Sequence, residues 1–219
     1  MLTPSEENYL KSIYNLSVES NKAISTNAIA EKLNTKAASA TDMIQKLANK
    51  GLASYYKYKG VRLTQSGDKE ALKVVRKHRL WEFFLVKELN FNWNEVHEIA
   101  EQLEHIKSPE LITRLDNFLG HPKFDPHGDP IPDENGIMAS NPTVTLCMLK
   151  PGDICKVICA KDSSSDLLLY LDKVKISLGA TIKILDYLEF DGSYDVKVGD
   201  SSPITLSSKV AENIYIDKI

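Results

Sequence analysis

The sequence predicts a mainly α-helical protein that ends in a small β domain. Apolar residues recur at helical spacing through most of the chain before residue 120. A loop dense in Pro, Gly, Asp and His follows at 121–136. From residue 143 onward, short runs rich in Val, Ile, Leu and Tyr alternate with turn signals such as PGD and DGS. We therefore expect three domains, at 1–66, 67–140 and 141–219.

Composition and charge limit the class of protein. Of the 219 residues, 42% are hydrophobic and 26% charged, as in ordinary globular proteins. No apolar run approaches the ~20 residues that span a bilayer, and the N-terminus lacks a signal-peptide pattern, so we expect a cytoplasmic protein with no membrane partner. Three cysteines without a CxxC pattern are typical of small buried residues. Residues 1–77 hold 13 Lys and Arg against 7 Asp and Glu, so this end can face a polyanion.

The first elements are predicted as an amphipathic helix at 5–17, two shorter helices, and a β-hairpin around Lys59-Gly60. The segments STNAIAEKLN and TKAASATDMIQKLANKG carry the shorter helices, and Asn34 or Thr35 is expected to cap the second of them. This order is that of a winged helix-turn-helix. A winged helix that binds protein has the same order, but the basic hairpin and the small residues that open the third helix favour DNA.

A helix that enters the major groove needs small residues and short polar groups on its leading turns. The candidates on the third helix are Lys36, Ser39, Thr41 and Gln45. Basic residues of the hairpin suit phosphate contacts, which position a protein on DNA. These are Lys57, Lys59 and Arg62.

A long helix is predicted from Gly67 to Leu89, with an apolar face wide enough for a subunit interface. The segment HEIAEQLEH follows, and its residues at i, i+4, i+7 and i+8 are predicted to form one helical stripe: His97, Glu101, Glu104 and His105. His78 and Glu82 form a second pair at helical spacing, and Asp125 and His127 lie in the loop. Imidazole and carboxylate suit Mn, Fe or Zn, although exposed helices often carry the same residues without metal.

The C-terminal end is predicted to form a small β-barrel from short strands. The predicted strands are TVTLCML, ICKVICA, LLLYL, ATIKILDY, SYDVKV, ITLS and NIYI. The polar loop KDSSSDLL between them carries Asp162, which is expected to reach outward.

Taken together, the motifs HRLxExxL, VHxxAExLEH and HPxxxPHGxxIP, after a winged helix-turn-helix and before a β domain, resemble the diphtheria-toxin-repressor family. Within it, the chain is similar to the manganese transport regulators that keep an SH3-like third domain. The resemblance implies a cytoplasmic homodimer that binds Mn(II), or alternatively Fe(II), and then binds a palindromic operator in double-stranded DNA to repress metal-uptake genes.

The resemblance also implies two groups of metal ligands. The primary group is Asn8, Glu101, Glu104 and His105. The second group is His78, Glu82, His97, Asp125 and His127, with Asp162 from the β domain. The chain departs from the family pattern at Asn8, where the manganese branch typically has Asp, and at Asp125, where Cys is frequent. Glu101 stands where iron-type members place Cys, which favours Mn(II).

Two other functions fit parts of the pattern. A metal-dependent hydrolase also uses His and Glu on one helix, but the chain has no HExxH and no α/β scaffold around a pocket. A winged-helix regulator whose β domain senses an organic ligand would make the His stripe structural. We expect a regulator and not an enzyme.

Overall fold

The computed structural model describes residues 2–20, 22–56, 59–93, 95–140, 142–160 and 165–219. The elements that begin before residue 90 are α1 (Pro4–Ser20), α2 (Thr26–Lys32), α3 (Ala37–Asn49), β1 (Ala53–Tyr56), β2 (Gly60–Leu63) and α4 (Gln65–Leu89). The later elements are α5 (Val96–Leu103), α6 (Pro109–Leu119), β3 (Ile154–Ala160), α7 (Ser165–Lys173), β4 (Thr181–Leu188), β5 (Ser193–Val198), β6 (Ile204–Leu206), α8 (Ser208–Ala211) and β7 (Ile214–Lys218). The predicted fold class, mainly α with a small β domain, is confirmed.

The chain divides into two compact units, and the division falls inside α4. The first unit comprises Met1–Lys77, Glu104–Lys107 and Pro132–Ile137. The second comprises His78–Leu103, Ser108–Ile131 and Met138–Ile219. Each unit buries its own apolar core. Within the described residues, no helix combines the length and the apolar character that a bilayer crossing requires.

The first unit is a helix-turn-helix followed by a hairpin, as predicted. Ser25 caps α2, because its hydroxyl oxygen accepts a hydrogen bond from the Ala28 amide at 3.1 Å. The predicted cap of α3 is wrong: Lys36 occupies the N-cap position and makes no side-chain capping bond. Asn34 instead adopts a left-handed conformation in the turn between α2 and α3, with φ of 47°. The fully buried core residues include Leu10, Ile13, Ile29, Ile44 and Leu47.

Gly60 allows the hairpin to approach the segment before α2. β1 and β2 are antiparallel, with Tyr56 opposite Gly60. Gly60 has φ of 98°, and a Cβ atom there would lie 2.6 Å from the carbonyl oxygen of Ile24. Ile24 and Val61 exchange two backbone hydrogen bonds of 2.9 Å. Only glycine satisfies both the backbone conformation and this close approach.

The first turn of α1 carries a capping box that also reaches α3. The hydroxyl of Thr3 accepts from the Glu6 amide at 3.3 Å, and the Glu6 carboxylate accepts from the Thr3 amide at 2.9 Å. The buried Glu6 carboxylate also accepts from Lys50 Nζ at 2.7 Å and lies 3.1 Å from Lys46 Nζ. Burial acts to raise the pKa of Glu6, but the hydrogen bonds from Lys50, the Thr3 amide and Lys46 outweigh it and lower the pKa to about 2.

The helical half of the second unit is built from the distal part of α4 with α5 and α6. Ser108 caps α6 by accepting from the Leu111 amide at 3.2 Å, and Gly120 ends the helix with φ of 75°. α5 is shorter than predicted, so the four-residue stripe is wrong as a helical feature: Glu104 and His105 lie in the turn after Leu103. Both residues belong to the first unit, where they pair with α1.

The β-rich end forms a five-stranded antiparallel sheet in the order β6-β5-β4-β3-β7. Two of the predicted strands are wrong. The LLLYL run lies in α7, where Leu168 and Leu171 are buried and Leu169 is 52% exposed, so burial follows a helical period. The TVTLCML run forms one bridge at Thr145 and a 3-10 turn at Leu146–Met148. The three cysteines are free. Cys155 and Cys159 are buried on β3, as the sequence predicted, whereas Cys147 is half-buried.

Glu6→Gln tests the ion pairs between α1 and α3, because Gln keeps the capping box and removes the charge. Since the pKa of Glu6 is lowered, its charge stabilises the fold fully above pH 4.5, and this contribution is lost as the pH falls toward 2. We expect the variant to unfold about 1–2 kcal/mol more easily at pH 7. The difference from the parent protein should shrink at pH 3, measured by urea denaturation.

The matched control is Glu70→Gln, which removes the exposed partner of Lys73 on α4. This change should leave the unfolding free energy nearly unaltered, because exposed pairs contribute little. An equal loss for Glu6→Gln at pH 7 and pH 3 would contradict the assignment of its effect to charge.

Candidate metal centres

Three donor atoms from α4 and α5 converge in the second unit. His78 and Glu82 are one turn apart on α4, and His97 lies in the first turn of α5. Glu82 Oε1 lies 3.0 Å from His78 Nε2 and 3.2 Å from His97 Nδ1. The two imidazole nitrogens are 3.2 Å apart. His78 and Glu82 are buried and the His97 side chain is 63% exposed, so the cluster opens to solvent on one side.

The spacing of these donors fits a divalent cation. Neighbouring ligands of a six-coordinate ion with bonds near 2.1 Å lie about 3 Å apart. Protons alone satisfy the cluster poorly, because two imidazole nitrogens 3.2 Å apart that both donate to Glu82 bring their hydrogens close together. Burial acts to raise the pKa of Glu82, but hydrogen bonds from His78 and His97 outweigh it and hold the pKa well below its usual range. The carboxylate is therefore ionised, and its imidazole neighbours complete a donor set that Mn, Fe and Zn accept.

His127 adds a fourth donor to this second-unit cluster. Its Nε2 lies 3.9 Å from Glu82 Oε1. Its Nδ1 is buried and has no hydrogen-bond partner among the described residues. Burial lowers the pKa of His127, which favours the neutral imidazole that binds metals. The structure thus brings together four of the six residues predicted for the second group.

Asp125 holds the loop that presents His127. Its Oδ1 accepts from the amides of His127 at 2.8 Å and Asp129 at 3.0 Å, and its Oδ2 lies 3.5 Å from Arg79 Nε. Burial and the nearby charges of Glu82 and Asp129 raise the pKa of Asp125 well above its usual range. Through these contacts, Asp125 stabilises the conformation of the loop. Its role as a ligand stays a prediction.

The same loop is anchored to β3. The Ala160 amide donates to the Pro126 carbonyl at 3.3 Å. Gly128 has φ of 91°, and a Cβ atom there would lie 2.4 Å from the Ala160 oxygen. β3 ends at Ala160, and Asp162 lies outside the described residues, so its predicted place as a ligand stays untested.

Two predicted primary ligands contact α1 within the first unit. His105 Nδ1 lies 2.6 Å from Glu7 Oε2. The fully buried carboxylate of Glu104 lies 2.8 Å from Lys11 Nζ. Asn8 Oδ1 is buried and has no hydrogen-bond partner among the residues that the structure describes. An unsatisfied buried acceptor, one residue from Glu7, fits an oxygen ligand of a hard cation.

Sequence reasoning overlooked Glu7 and Lys11. They are four residues apart on α1, and each pairs with a residue more than ninety positions later in the chain. Glu7 also lies 3.7 Å from Lys77 Nζ on α4. The only local signal was the acidic start of the helix beside Asn8, and no spacing rule joins it to Glu104 or His105.

Glu101, the remaining predicted primary ligand, is placed beside the second-unit cluster. Its carboxylate lies 3.6 Å from His97 Nε2, and its side chain is 48% exposed. His97 and Glu101 lie one turn apart on the same face of α5, as the sequence predicted.

The predicted DNA-binding residues lie mainly on the surface of the first unit. Side chains that are exposed are Lys36, Ser39, Gln45, Lys59 and Arg62. Thr41 is half-buried, and its hydroxyl donates to the Ala37 carbonyl at 2.8 Å. Lys57 lies outside the described residues.

Three family models match successive parts of the chain. Residues 1–61 match the iron-dependent repressor N-terminal DNA-binding domain. Residues 64–133 match the iron-dependent repressor metal-binding and dimerisation domain, and residues 144–218 match the FeoA domain. Together the three matches cover nearly the whole chain, and they follow one another without overlap.

Individual relatives agree with these models. The chain is 46% identical to part of a probable metal transport system membrane protein of Chlamydia trachomatis, over 39% of the chain and 19% of that protein. It is 37% identical to the HTH-type transcriptional regulator MntR of Oceanobacillus iheyensis, over 57% of the chain and 84% of MntR. A solved manganese-dependent transcriptional repressor in complex with manganese is 38% identical, with a TM-score of 0.64 over 98% of this chain and 100% of that one. The chain therefore belongs to the diphtheria-toxin-repressor family, whose members are metal-dependent DNA-binding transcriptional repressors.

Proposed function

We propose that this chain is a Mn(II)-dependent transcriptional repressor, with Fe(II) as the alternative ion, that binds a palindromic operator as a homodimer and controls metal-uptake genes. The observation that carries the proposal is the convergence of His78, Glu82 and His97 in a chain that also contains a helix-turn-helix. The manganese bound by the solved relative supports the choice of ion.

The donor set supports a hard or borderline cation. The proposed second site consists of His78, Glu82, His97, Asp125 and His127, with Asp162 as a further ligand. The proposed primary site consists of Asn8, Glu101, Glu104 and His105. Both sites offer oxygen and nitrogen and no thiolate, which suits Mn(II) and Fe(II). When bound, the ion would supply positive charge to the carboxylates of each site.

Contacts of α1 connect the proposed primary site to the DNA-binding helix. Glu7 pairs with His105, and the neighbouring Glu6 pairs with Lys46 and Lys50 of α3. Both carboxylates belong to the first turn of α1. A change in the contacts of His105 therefore acts on the same helical turn that holds α3, which supports coupling between metal occupancy and the pose of α3.

An exposed apolar face supports the homodimer. Phe118 on α6 is 66% exposed and Leu111 is 37% exposed. Phe118 contacts Phe84 of α4 edge to face, with ring centroids 6.4 Å apart. Apolar surface of this kind, next to buried Trp81, suits a subunit interface, where two recognition helices would be spaced for two half-sites.

The direct test is fluorescence anisotropy with the promoter of a neighbouring metal-transport gene. Binding should be weak in chelator and should tighten when Mn(II) is titrated. Separate titrations with Fe(II) and Zn(II) identify the better activator. Equally tight binding in chelator would contradict the proposed function.

Glu82→Gln should remove the second site, because Glu82 Oε1 is the atom that both imidazoles approach. We expect the affinity of that site for Mn(II) to fall by at least about tenfold, since a neutral amide replaces the charged ligand. Isothermal titration calorimetry measures the affinity and the number of sites. The control is Glu88→Gln, a surface carboxylate of the same helix that contacts Lys87. Unchanged Mn(II) stoichiometry and affinity in Glu82→Gln would contradict the assignment.

Arg62→Ala should weaken operator binding without altering Mn(II) binding. The exposed Arg62 of β2 suits a phosphate contact, so its loss should lower the slope of log affinity against log salt by about 1. Anisotropy titrations at several salt concentrations give this slope. Lys209→Ala, in α8 of the other compact unit, is the charge-matched control and should leave the slope unchanged. If both variants behave alike, Arg62 does not contact DNA.

A further inference from the structure

Lys11 is a buried cation that contacts Glu104, a predicted metal ligand. Its Nζ lies 2.8 Å from both carboxylate oxygens of Glu104. The Lys11 side chain is 10% exposed and that of Glu104 is fully buried. α1 thus places an ammonium group at equal distance from both oxygens of the carboxylate that follows α5, and this group donates a hydrogen bond to Oε2.

This pair has an electrostatic reason in the metal-free protein. A buried carboxylate without a counter-charge is unfavourable, and removing one partner of a buried pair is strongly destabilising. Lys11 therefore neutralises Glu104 while no other cation is present. An ammonium group has three donors and no acceptor, so Lys11 cannot itself become a metal ligand.

The same contact opposes a metal ion. A divalent ion bound to a Glu104 oxygen must either lie beside the Lys11 ammonium, where like charges repel, or displace it. Asn8 contributes a neutral oxygen to the same proposed site, so it does not offset the lysine charge. In the second unit, Glu82 is approached by His78 and His97, whose neutral forms bind metal.

We propose that Lys11 is the counter-ion of Glu104 in the metal-free protein, that a metal must compete with it for this carboxylate, and that Lys11 thereby sets the metal concentration at which the primary site fills. The inference rests on the proposed function, because it takes Glu104 as a metal ligand. It makes Lys11 a positioning residue that lowers the affinity of the primary site relative to the second site.

The experiment compares Lys11→Met with the parent chain, both in a Glu82→Gln background, so that the primary site is measured alone. Calorimetry should give Mn(II) binding that is at least about tenfold tighter in Lys11→Met. The melting temperature in chelator should fall, because Glu104 loses its counter-ion, while the rise on adding Mn(II) should grow. If Lys11 has only a structural role, Lys11→Met should lower both the melting temperature in chelator and the affinity for Mn(II).

Three further variants complete the design. Lys11→Arg keeps the charge and should keep the weaker affinity. Lys11→Gln gives a second neutral side chain that retains hydrogen bonding, for use if Lys11→Met does not fold. Lys73→Met removes an exposed lysine that pairs with Glu70 in the same unit, and it should leave the affinity unchanged.

The outcomes separate the two proposals. If the parent chain binds Mn(II) and neutral variants at position 11 bind it equally or more weakly, the counter-ion inference is overturned and the proposed function stands. If the unmodified protein binds no Mn(II) or Fe(II) at either site, the proposed function fails, and this inference fails with it. Tighter binding in Lys11→Met or Lys11→Gln alone supports the inference.

Discussion

The buried carboxylate of Glu82 is the charge around which the polar interior of the second unit is arranged. Moving a carboxylate out of water costs several kcal/mol unless partners compensate it. Here the partners are imidazoles from α4, from α5 and from the loop after α6. The helices and the loop must therefore pack in one arrangement, and Arg79 and Asp125 hold the loop in it. The need to compensate the Glu82 carboxylate therefore accounts both for how these elements pack and for the group of imidazole and carboxylate donors that they bring together.

The first unit depends in a similar way on the opening turn of α1. Glu6 and Glu7 are adjacent, yet one pairs with lysines of α3 and the other with His105. A capping box formed by Thr3 and Glu6 fixes the turn that carries both carboxylates. α3 and the segment after α5 thus both pair with the same turn of α1. Such a short connection is suited to linking two binding events.

Cations with largely enclosed side chains pair with buried carboxylates in both units. Lys11 faces Glu104 in the first, and Arg79 faces Asp125 in the second. Arg79 also donates to the Pro130 carbonyl at 2.6 Å, so it joins the acidic loop to α4. These pairs show that cations of the chain itself compensate acidic groups in both units. A high content of Asp, Glu and His is therefore not by itself evidence of metal ligands.

Much of the fold follows from local patterns, because helical period, turn residues and glycine positions act over a few residues. They predicted the helices before residue 120, the hairpin at Gly60 and the His78–Glu82 pair, while the combined motifs carried the resemblance to the family. They did not predict the α7 helix, since packing against the sheet decides which leucines are buried. The local patterns also predicted that α5 continues past Leu103. In the structure, Glu104 and His105 instead pair with Lys11 and Glu7, and no local pattern predicts contacts between residues more than ninety positions apart. The sequence by itself determined the pattern of helices and turns and predicted candidate residues for metal and DNA chemistry; only the tertiary structure decided which of those residues meet, because burial and charge pairing act across distant segments.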